Sequence, residues 1–372
     1  MLMRRDNLPS IERASLHVYQ LYDVSDSIDL ERARSALASP SARMRPIVTR
    51  GGSITMPQLP LVVGMGQCSL SLAGQTVDAQ ITARIYDLGI LALTIILPLP
   101  GPVGWEQAID LAAEVQARPR ELMDHFAQAT ETLCAALRPA LVRPNETIRT
   151  EDYTLFLIEQ LSAGAPASRL AHHPVLLQVA LGERRVLSAA AASLATTLSY
   201  YEDDLIVLTW AAALVIEPDA PAREDAAFLL EFANAQLLAF RSYDDQVGRD
   251  LARIYPGLAR MRRPRWWMLG ATTRFLHEIH RLIADTTEIS ARVDNALQVT
   301  EDVYWNRVYT AALNVLRVQA WRSGITETLN VLRQTATLLN DEAEVARATV
   351  LEWLVIALIA VELIVALVAL HR

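Results

Sequence analysis

The chain contains no lysine, and all 34 of its basic residues are arginine. Without lysine it cannot contain a Walker-type phosphate loop, a Schiff-base lysine, a pyridoxal site or the strand lysine of protein kinases. Cysteine is also scarce, since Cys68 and Cys134 are the only two and lie far apart in sequence. Neither a disulfide scaffold nor a thiolate zinc site is therefore indicated. We predict no cofactor.

Excess positive charge is absent as well, because the net charge is −8. This balance argues against a generally basic nucleic-acid binder, and we expect no DNA partner. The first residues lack the apolar stretch of a signal peptide, so we expect the bulk of the chain to be cytosolic. A length of 372 residues can hold two modest domains and an appendage.

Apolar residues, by contrast, are abundant, at 52% of the chain, and they concentrate at its C-terminal end. From Trp353 to Leu370 only Glu362 is not apolar. As a helix this segment is about 27 Å long, close to the ~30 Å hydrocarbon core of a bilayer. We therefore predict that residues 351–370 form a transmembrane tail anchor in the lipid bilayer. This prediction makes the chain a single-pass protein of a bacterial cytoplasmic (inner) membrane.

Glu362, Ala366 and Ala369 lie on one face of that helix. Small residues beside a polar group suit a helix–helix contact inside a membrane. We therefore predict membrane self-association through these residues and a homo-oligomer. The alternative is a tolerated glutamate that snorkels or is protonated.

The rest of the chain has the pattern of an α+β fold. Two strand pairs, each turning within a few residues, are predicted at 77–97 and 204–217, and a long helix is predicted at 223–255. In both halves the predicted order of elements is a strand, a helix, a strand pair and a helix. We predict two related α+β units, a helical hairpin or coiled-coil stalk and one C-terminal transmembrane helix, with boundaries at 1–150, 151–258, 259–349 and 350–372.

Several segments of the second half resemble, in the same order, the family named "required for meiotic nuclear division". They are Ser199–Pro218, Leu229–Asp245, Asn295–Val318 and Leu338–Leu363. The resemblance covers about residues 152–372, and the residues before 152 match poorly. It implies a C-terminally membrane-anchored α+β protein of an uncharacterised family, with no established catalytic site. Mitochondrial members of that family are tied to organellar translation and are expected to hold ribosomes or messages near the inner membrane.

An arginine-rich segment is the first candidate for a partner site. Between Leu251 and Arg274 there are six arginines, no acidic residue and two adjacent tryptophans. Guanidinium groups beside indoles suit phosphate contacts and base stacking, and also the membrane–water interface. The Arg–Trp cluster, for which we predict ribosome, RNA or other partner binding, consists of Arg260, Arg262, Arg263, Arg265, Trp266 and Trp267. The alternative is a solvated linker whose tryptophans cover the core of the stalk.

Two acidic runs are the second candidate. They follow tyrosines and comprise Glu202, Asp203, Asp204, Asp244 and Asp245. Carboxylates can bind Mg²⁺ if folding brings the runs together, although acidic residues at strand starts and on helix faces are commonly just solvated.

We therefore expect a non-enzymatic, tail-anchored membrane scaffold that presents a cytosolic α+β module to a ribosomal or RNA-bearing partner. The alternative is a membrane-bound enzyme that depends on a divalent metal and uses the Tyr/Asp-rich segments.

Overall fold

A computed structural model describes residues 8–37, 42–43, 47–49, 52–55, 58–72, 74–99, 101–162, 165–261, 276–284, 286–287, 291, 298–299 and 303–370. The chain divides into two compact units. The first comprises Met1–Ser242 and Arg292–Ala320, and the second comprises Tyr243–Ala291 and Trp321–Arg372.

The first unit is built on a nine-stranded sheet in the order β2-β5-β6-β7-β1-β8-β11-β10-β9. Neighbouring strands are antiparallel, except that β8 and β11 run parallel. A small second sheet has the order β12-β4-β3. The strands are β1 (Ile11–Ile28), β2 (Ala42–Arg43), β3 (Ile47–Thr49), β4 (Gly52–Thr55), β5 (Leu61–Leu72), β6 (Gln75–Ile85), β7 (Ile90–Leu99), β8 (Leu141–Leu161), β9 (Thr196–Leu198), β10 (Leu205–Leu208), β11 (Ala212–Ile216) and β12 (Gln298–Val299).

Strand β1 is the centre of the sheet, because it pairs with β7 on one side and β8 on the other. It is buried along most of its length, as expected for a strand covered on both faces. The predicted boundary at residue 150 falls inside β8, and β8 pairs both with β1 and with β11. The two halves expected to form related units therefore share one sheet, since main-chain hydrogen bonds run across it without interruption.

Helices cover both faces of this sheet, which makes the fold α+β. The helices are α1 (Leu30–Ala36), α2 (Trp105–Gln116), α3 (Arg120–Leu137), α4 (Pro174–Leu181), α5 (Ala220–Met261), α6 (Val303–Val315) and α7 (Val318–Leu370). Residues of α1 to α4 share one apolar core with alternate strand residues such as Leu16 and Val18. Arg84 of β6 and Tyr86, which follows that strand, face the first part of α5 instead.

Local sequence signals account for where these helices begin and end. The Asp29 carboxylate accepts hydrogen bonds from the backbone N–H groups of Glu31 and Arg32, and so caps α1. Helix α4 begins at Pro174 and ends at Leu181, and its C-terminal cap is Gly182, whose φ is +57°. A Cβ at Gly182 would lie 2.7 Å from the Ala113 Cα, so glycine also lets α4 approach α2 closely.

Both predicted strand pairs are confirmed as antiparallel hairpins, β6–β7 and β10–β11. The first turns at Gly89, where φ is +83° and a Cβ would lie 1.7 Å from the Ser25 carbonyl oxygen. Only glycine fits such a position. The predicted long helix is also confirmed, as α5.

The second unit is helical in its described part. It contains the remainder of α5, helical residues 276–284 and most of α7. Arg333 donates a hydrogen bond to the Thr287 hydroxyl at 3.2 Å. Ile279, Leu329 and Leu332 are among its buried apolar residues.

The C-terminal end of α7 corrects the predicted tail anchor. Within the described residues, no helix is long and apolar enough to cross a membrane. The transmembrane helix at 351–370 is therefore wrong, and so is the tail-anchored, single-pass inner-membrane localisation that followed from it. The lipid-bilayer contact expected for residues 351–370 stays a prediction.

The physical reason is the charge within the helix. The side chains of α7 are described as far as Ile364, and the stretch 347–364 includes Arg347, Glu352 and Glu362. Each charged residue near a helix centre costs about 2.5–3.5 kcal/mol on insertion scales, which offsets much of the apolar gain. The large apolar side chains from Leu351 to Ile364 are each more than half exposed.

Candidate functional site

The predicted Arg–Trp cluster lies outside what the structure describes. Residues 262–275 are not among the described residues, so Arg262, Arg263, Arg265, Trp266 and Trp267 have no structural description. The backbone at Arg260 belongs to α5, but its side chain is also outside the described part. Partner binding by this cluster therefore stays a prediction.

The predicted self-association face is described at one position. Glu362 is exposed on α7. The backbones at Ala366 and Ala369 are helical, and their side chains lie outside the described part. Oligomer formation through these residues stays a prediction.

The two acidic runs occur in different compact units. Glu202 and Asp203 are exposed in the loop before β10, whereas Asp204 is 2% exposed. Asp244 and Asp245 are partly buried on the stretch of α5 that belongs to the second unit. Among the described residues, no group of three or more histidine, cysteine or acidic side chains is placed to hold a metal ion.

A buried polar network lies between the sheet and the first part of α5. The Tyr86 hydroxyl donates to Glu231 Oε1 at 2.7 Å, and the Arg84 guanidinium forms an ion pair with Glu231 Oε2. The guanidinium carbon of Arg84 also lies 5.7 Å from the centre of the Phe228 ring. Burial raises the pKa of Glu231, while the charge of Arg84 and the hydrogen bond from Tyr86 oppose that rise. These contacts hold α5 against the sheet, and we assign them a structural role.

A serine–histidine pair on β1 has the contact of a nucleophile and its base. Ser15 Oγ and His17 Nε2 are 3.0 Å apart, and His17 Nδ1 is 3.5 Å from the Tyr19 hydroxyl. Loss of water around the imidazole, followed by the charges of Arg84 and Arg223, lowers the pKa of His17 to about 4. A general base works best when its pKa is near the operating pH. His17 is therefore a weak base at neutral pH.

The most unusual electrostatics occur where β10 begins and β11 ends. Leu205 pairs with Ile216, so Asp204 and Glu217 lie opposite each other just outside the paired residues. Asp204 Oδ1 accepts a hydrogen bond from the Tyr200 N–H at 2.7 Å, which fixes the loop before β10. The Glu217 N–H donates to the Ile158 carbonyl of β8 at 3.0 Å, which fixes the chain where it leaves β11.

Glu217 is the perturbed carboxyl of this pair. Burial raises its pKa to about 7, with further contributions from the negative charges of Asp204, Asp203 and Asp219. A hydrogen bond from the Asp219 N–H to Glu217 Oε1, at 2.9 Å, acts in the opposite direction. The carboxyl therefore changes charge close to neutral pH, which is a feature common at functional sites.

Aromatic residues are grouped at the same end of the hairpin. Tyr200 and Tyr201 are 63% and 53% exposed, and their ring centres are 4.8 Å apart in an edge-to-face arrangement. Tyr304 of α6 lies 5.3 Å from the Tyr200 ring and 5.1 Å from that of Trp305. Burial raises the pKa of Tyr304, and the charges of Asp204 and Glu217 and a side-chain hydrogen bond with Asp204 raise it further. We call the group formed by Tyr200, Tyr201, Glu202, Asp203, Asp204, Glu217 and Tyr304 the acidic–aromatic cluster.

Sequence reasoning identified the tyrosine and aspartate run of this cluster but missed Glu217 and Tyr304. The hairpin register contains the signal for Glu217, because a turn between 208 and 212 places residue 217 opposite residue 204. The proximity of Tyr304 depends on how α6 packs, for which the sequence has no local signal. Negative charge beside exposed rings is an arrangement that can bind a cation.

Residues 13–222, more than half of the chain, match the family described as "Uncharacterized protein MJ0711, N-terminal domain". No curated protein matches the chain. The matched stretch runs from β1 into α5 and includes all of the acidic–aromatic cluster except Tyr304. The resemblance to the "required for meiotic nuclear division" family is not part of this match. The chain belongs to the MJ0711 N-terminal-domain family.

Proposed function

We propose that this member of the MJ0711 N-terminal-domain family is a non-enzymatic scaffold that binds a ribosomal or RNA-bearing partner. The observation that carries the proposal is the contrast between its buried and exposed polar groups. Under α5 the charged side chains pair with one another, as in Arg84 with Glu231. At the acidic–aromatic cluster, by contrast, the side chains of Tyr200, Tyr201, Glu202 and Asp203 face solvent.

Further ion pairs support a structural role for the buried polar groups. Arg241 pairs with Glu151, and Arg223 lies 3.4 Å from Glu159, so α5 is tied to β8 at two points. Buried charges are stable when they are paired, and removing one partner is costly. These side chains are therefore occupied in holding the fold.

The electrostatics of the serine–histidine pair favour a scaffold over a hydrolase. With its pKa lowered to about 4, His17 is a poor acceptor for the Ser15 proton at neutral pH. An enzyme dependent on a divalent metal remains the alternative from sequence, but no arrangement among the described side chains favours it.

The ribosomal part of the proposal is supported by sequence. Residues 152–372 resemble a family whose mitochondrial members are tied to organellar translation. The Arg–Trp cluster also has the composition of a phosphate-binding segment. We therefore propose that the scaffold contacts RNA through this segment and protein through its α+β unit.

Crosslinking in cells tests this proposal. The full-length chain is crosslinked and purified, and the recovered RNA and proteins are identified. We expect ribosomal RNA and proteins whose recovery falls as salt rises, because phosphate contacts are salt-sensitive. Changing Arg262, Arg263 and Arg265 to glutamate should remove the RNA.

A charge-matched control uses the exposed arginines Arg120, Arg138 and Arg185, each changed to glutamate. This variant should retain the RNA. Recovery of the chain without ribosomal components would contradict the proposal. If both triple variants lost the RNA to the same extent, a role for the Arg–Trp cluster would be contradicted.

A further inference from the structure

Glycine is distributed unevenly among the helices. The described helices that belong wholly to the first unit contain no glycine, and neither does the first-unit part of α5, from Ala220 to Ser242. Glycine appears after the chain has passed into the second unit, first at Gly248 in α5 and at Gly324 in α7. Because glycine is among the poorest helix formers, its presence inside these two helices needs a physical reason.

Packing does not supply that reason. A Cβ built at Gly248 or at Gly324 has no heavy atom of its surroundings within 4 Å, and neither residue has a positive φ. Both residues are exposed. At Gly182, by contrast, a Cβ would lie 2.7 Å from the backbone of α2. Alanine would therefore fit at Gly248 and Gly324 and would favour the helix, so no described contact explains these glycines.

Each of the two glycines follows a stretch of helix that is firmly held. All residues of α5 from 226 to 240 are buried, and the ion pair between Arg241 and Glu151 then ties the helix to β8. On α7, Val318 in the first turn is 2% exposed. The glycines come about two helical turns after these held positions. A weak point directly after a fixed point is where a helix bends when its far end moves.

Hydrogen bonds around Gly324 weaken α7 further. The Thr328 hydroxyl donates to the Gly324 carbonyl, and the Thr326 hydroxyl donates to the Arg322 carbonyl, both at 2.9 Å. A hydroxyl that donates to the carbonyl four residues earlier destabilises a helix slightly and often bends it. Adjacent serine and glycine, here Ser323 and Gly324, are also a common position of sharp kinks.

The two helices connect the units directly. The chain passes between the units three times, and the passages at 242–243 and 320–321 lie inside α5 and α7. Any movement of one unit that keeps these helices intact must bend both of them near the passages. Hinges are formed by a few residues that absorb the change in backbone angles, and small residues are common among them.

We propose that Gly248 and Gly324 form a paired hinge, at which α5 and α7 bend together and the second unit changes its orientation. This device goes beyond the proposed scaffold function, because it operates in the free chain. It allows the two units to adapt to the surface of a large partner without unfolding of either unit.

Double electron–electron resonance on the full-length chain measures this movement. Spin labels are attached at Glu131→Cys in the first unit and Gln334→Cys in the second, both of which are exposed positions. The half-buried Cys134 is changed to alanine, and the buried Cys68 is retained. Mass spectrometry verifies that the chain carries two labels.

With the natural glycines we expect a broad distribution of distances between the labels. Gly248→Ala/Gly324→Ala should narrow it, and circular dichroism should show that the variant is folded, because alanine favours helix. The matched control, Arg249→Ala/Glu327→Ala, introduces alanine at two exposed positions close to the glycines and leaves the net charge unchanged. Its distribution should be as broad as that of the natural chain.

Three results would overturn the inference. A narrow distribution with the natural glycines would show that the helices do not bend. Equal breadth with the glycines and with the two alanines would show that movement arises elsewhere in the chain. Narrowing by the control variant as large as that by Gly248→Ala/Gly324→Ala would show a general effect of helix strengthening.

Discussion

The perturbed carboxyl of Glu217 leads to a specific prediction for stability. Burial and the surrounding acids raise its pKa from the ordinary 4.5 to about 7. Glutamine is close in size and cannot ionise. We therefore predict that Glu217→Gln becomes progressively more stable than the natural chain as pH rises from 5.5 to 8.

The sign follows from proton binding. A carboxyl whose folded pKa is raised binds its proton more tightly in the folded state than in the unfolded state. Stability of the natural chain therefore falls as pH rises from about 4.5, and this loss ends above pH 7. Each pKa unit corresponds to about 1.4 kcal/mol, so the whole effect is about 3 kcal/mol, of which about 2 kcal/mol falls between pH 5.5 and 8.

Equilibrium urea unfolding at several pH values measures this difference. The exposed Glu131 changed to glutamine is the control, and its curve should remain parallel to that of the natural chain. A difference between Glu217→Gln and the natural chain that is the same at pH 5.5 and pH 8 would refute the reasoning about this site.

Three further predictions concern the first unit. Arg84→Met should lower the free energy of unfolding, measured in urea, by about 3–5 kcal/mol because it removes the ion pair of the buried Glu231 carboxylate. Adding Glu231→Leu to this variant should restore most of the lost stability. Losses of stability that add up in the double variant would contradict this prediction. Gly89→Ala should lower the free energy of unfolding by about 3 kcal/mol or more in the same assay, since φ is +83° and the added Cβ meets a backbone oxygen. An unchanged free energy of unfolding would contradict the turn geometry. Ser15 should not react with a fluorophosphonate probe at neutral pH, because its histidine partner is a weak base. Labelling of the natural chain that disappears in Ser15→Ala would contradict this prediction and would indicate hydrolase activity.

The local elements of the fold were predictable from the sequence, and the pairing of distant strands was not. Apolar, β-branched runs around Gly89 and after Asp204 predict their hairpins, because these contacts are close in the chain. The parallel pairing of β8 with β11 joins segments separated by a helix, and no local pattern specifies it. That pairing places both halves in one sheet instead of two units.

The candidate site was predictable in part for the same reason. The run from Tyr200 to Asp204 is visible as tyrosines followed by acids. Glu217 comes close only through the hairpin register, and Tyr304 only through the packing of α6. The tail-anchor prediction failed because the apolar run was weighed without the charges at Arg347 and Glu352 that precede it on the same helix.

Hydrogen exchange on the complex recovered from cells tests the central claim most directly. The backbone N–H groups of residues 199–204 are compared between the free full-length chain and the chain bound to its partner. The account predicts slower exchange in this loop on binding, because the partner covers the acidic–aromatic cluster. Unchanged exchange at 199–204, with slower exchange elsewhere on the first unit, would contradict it.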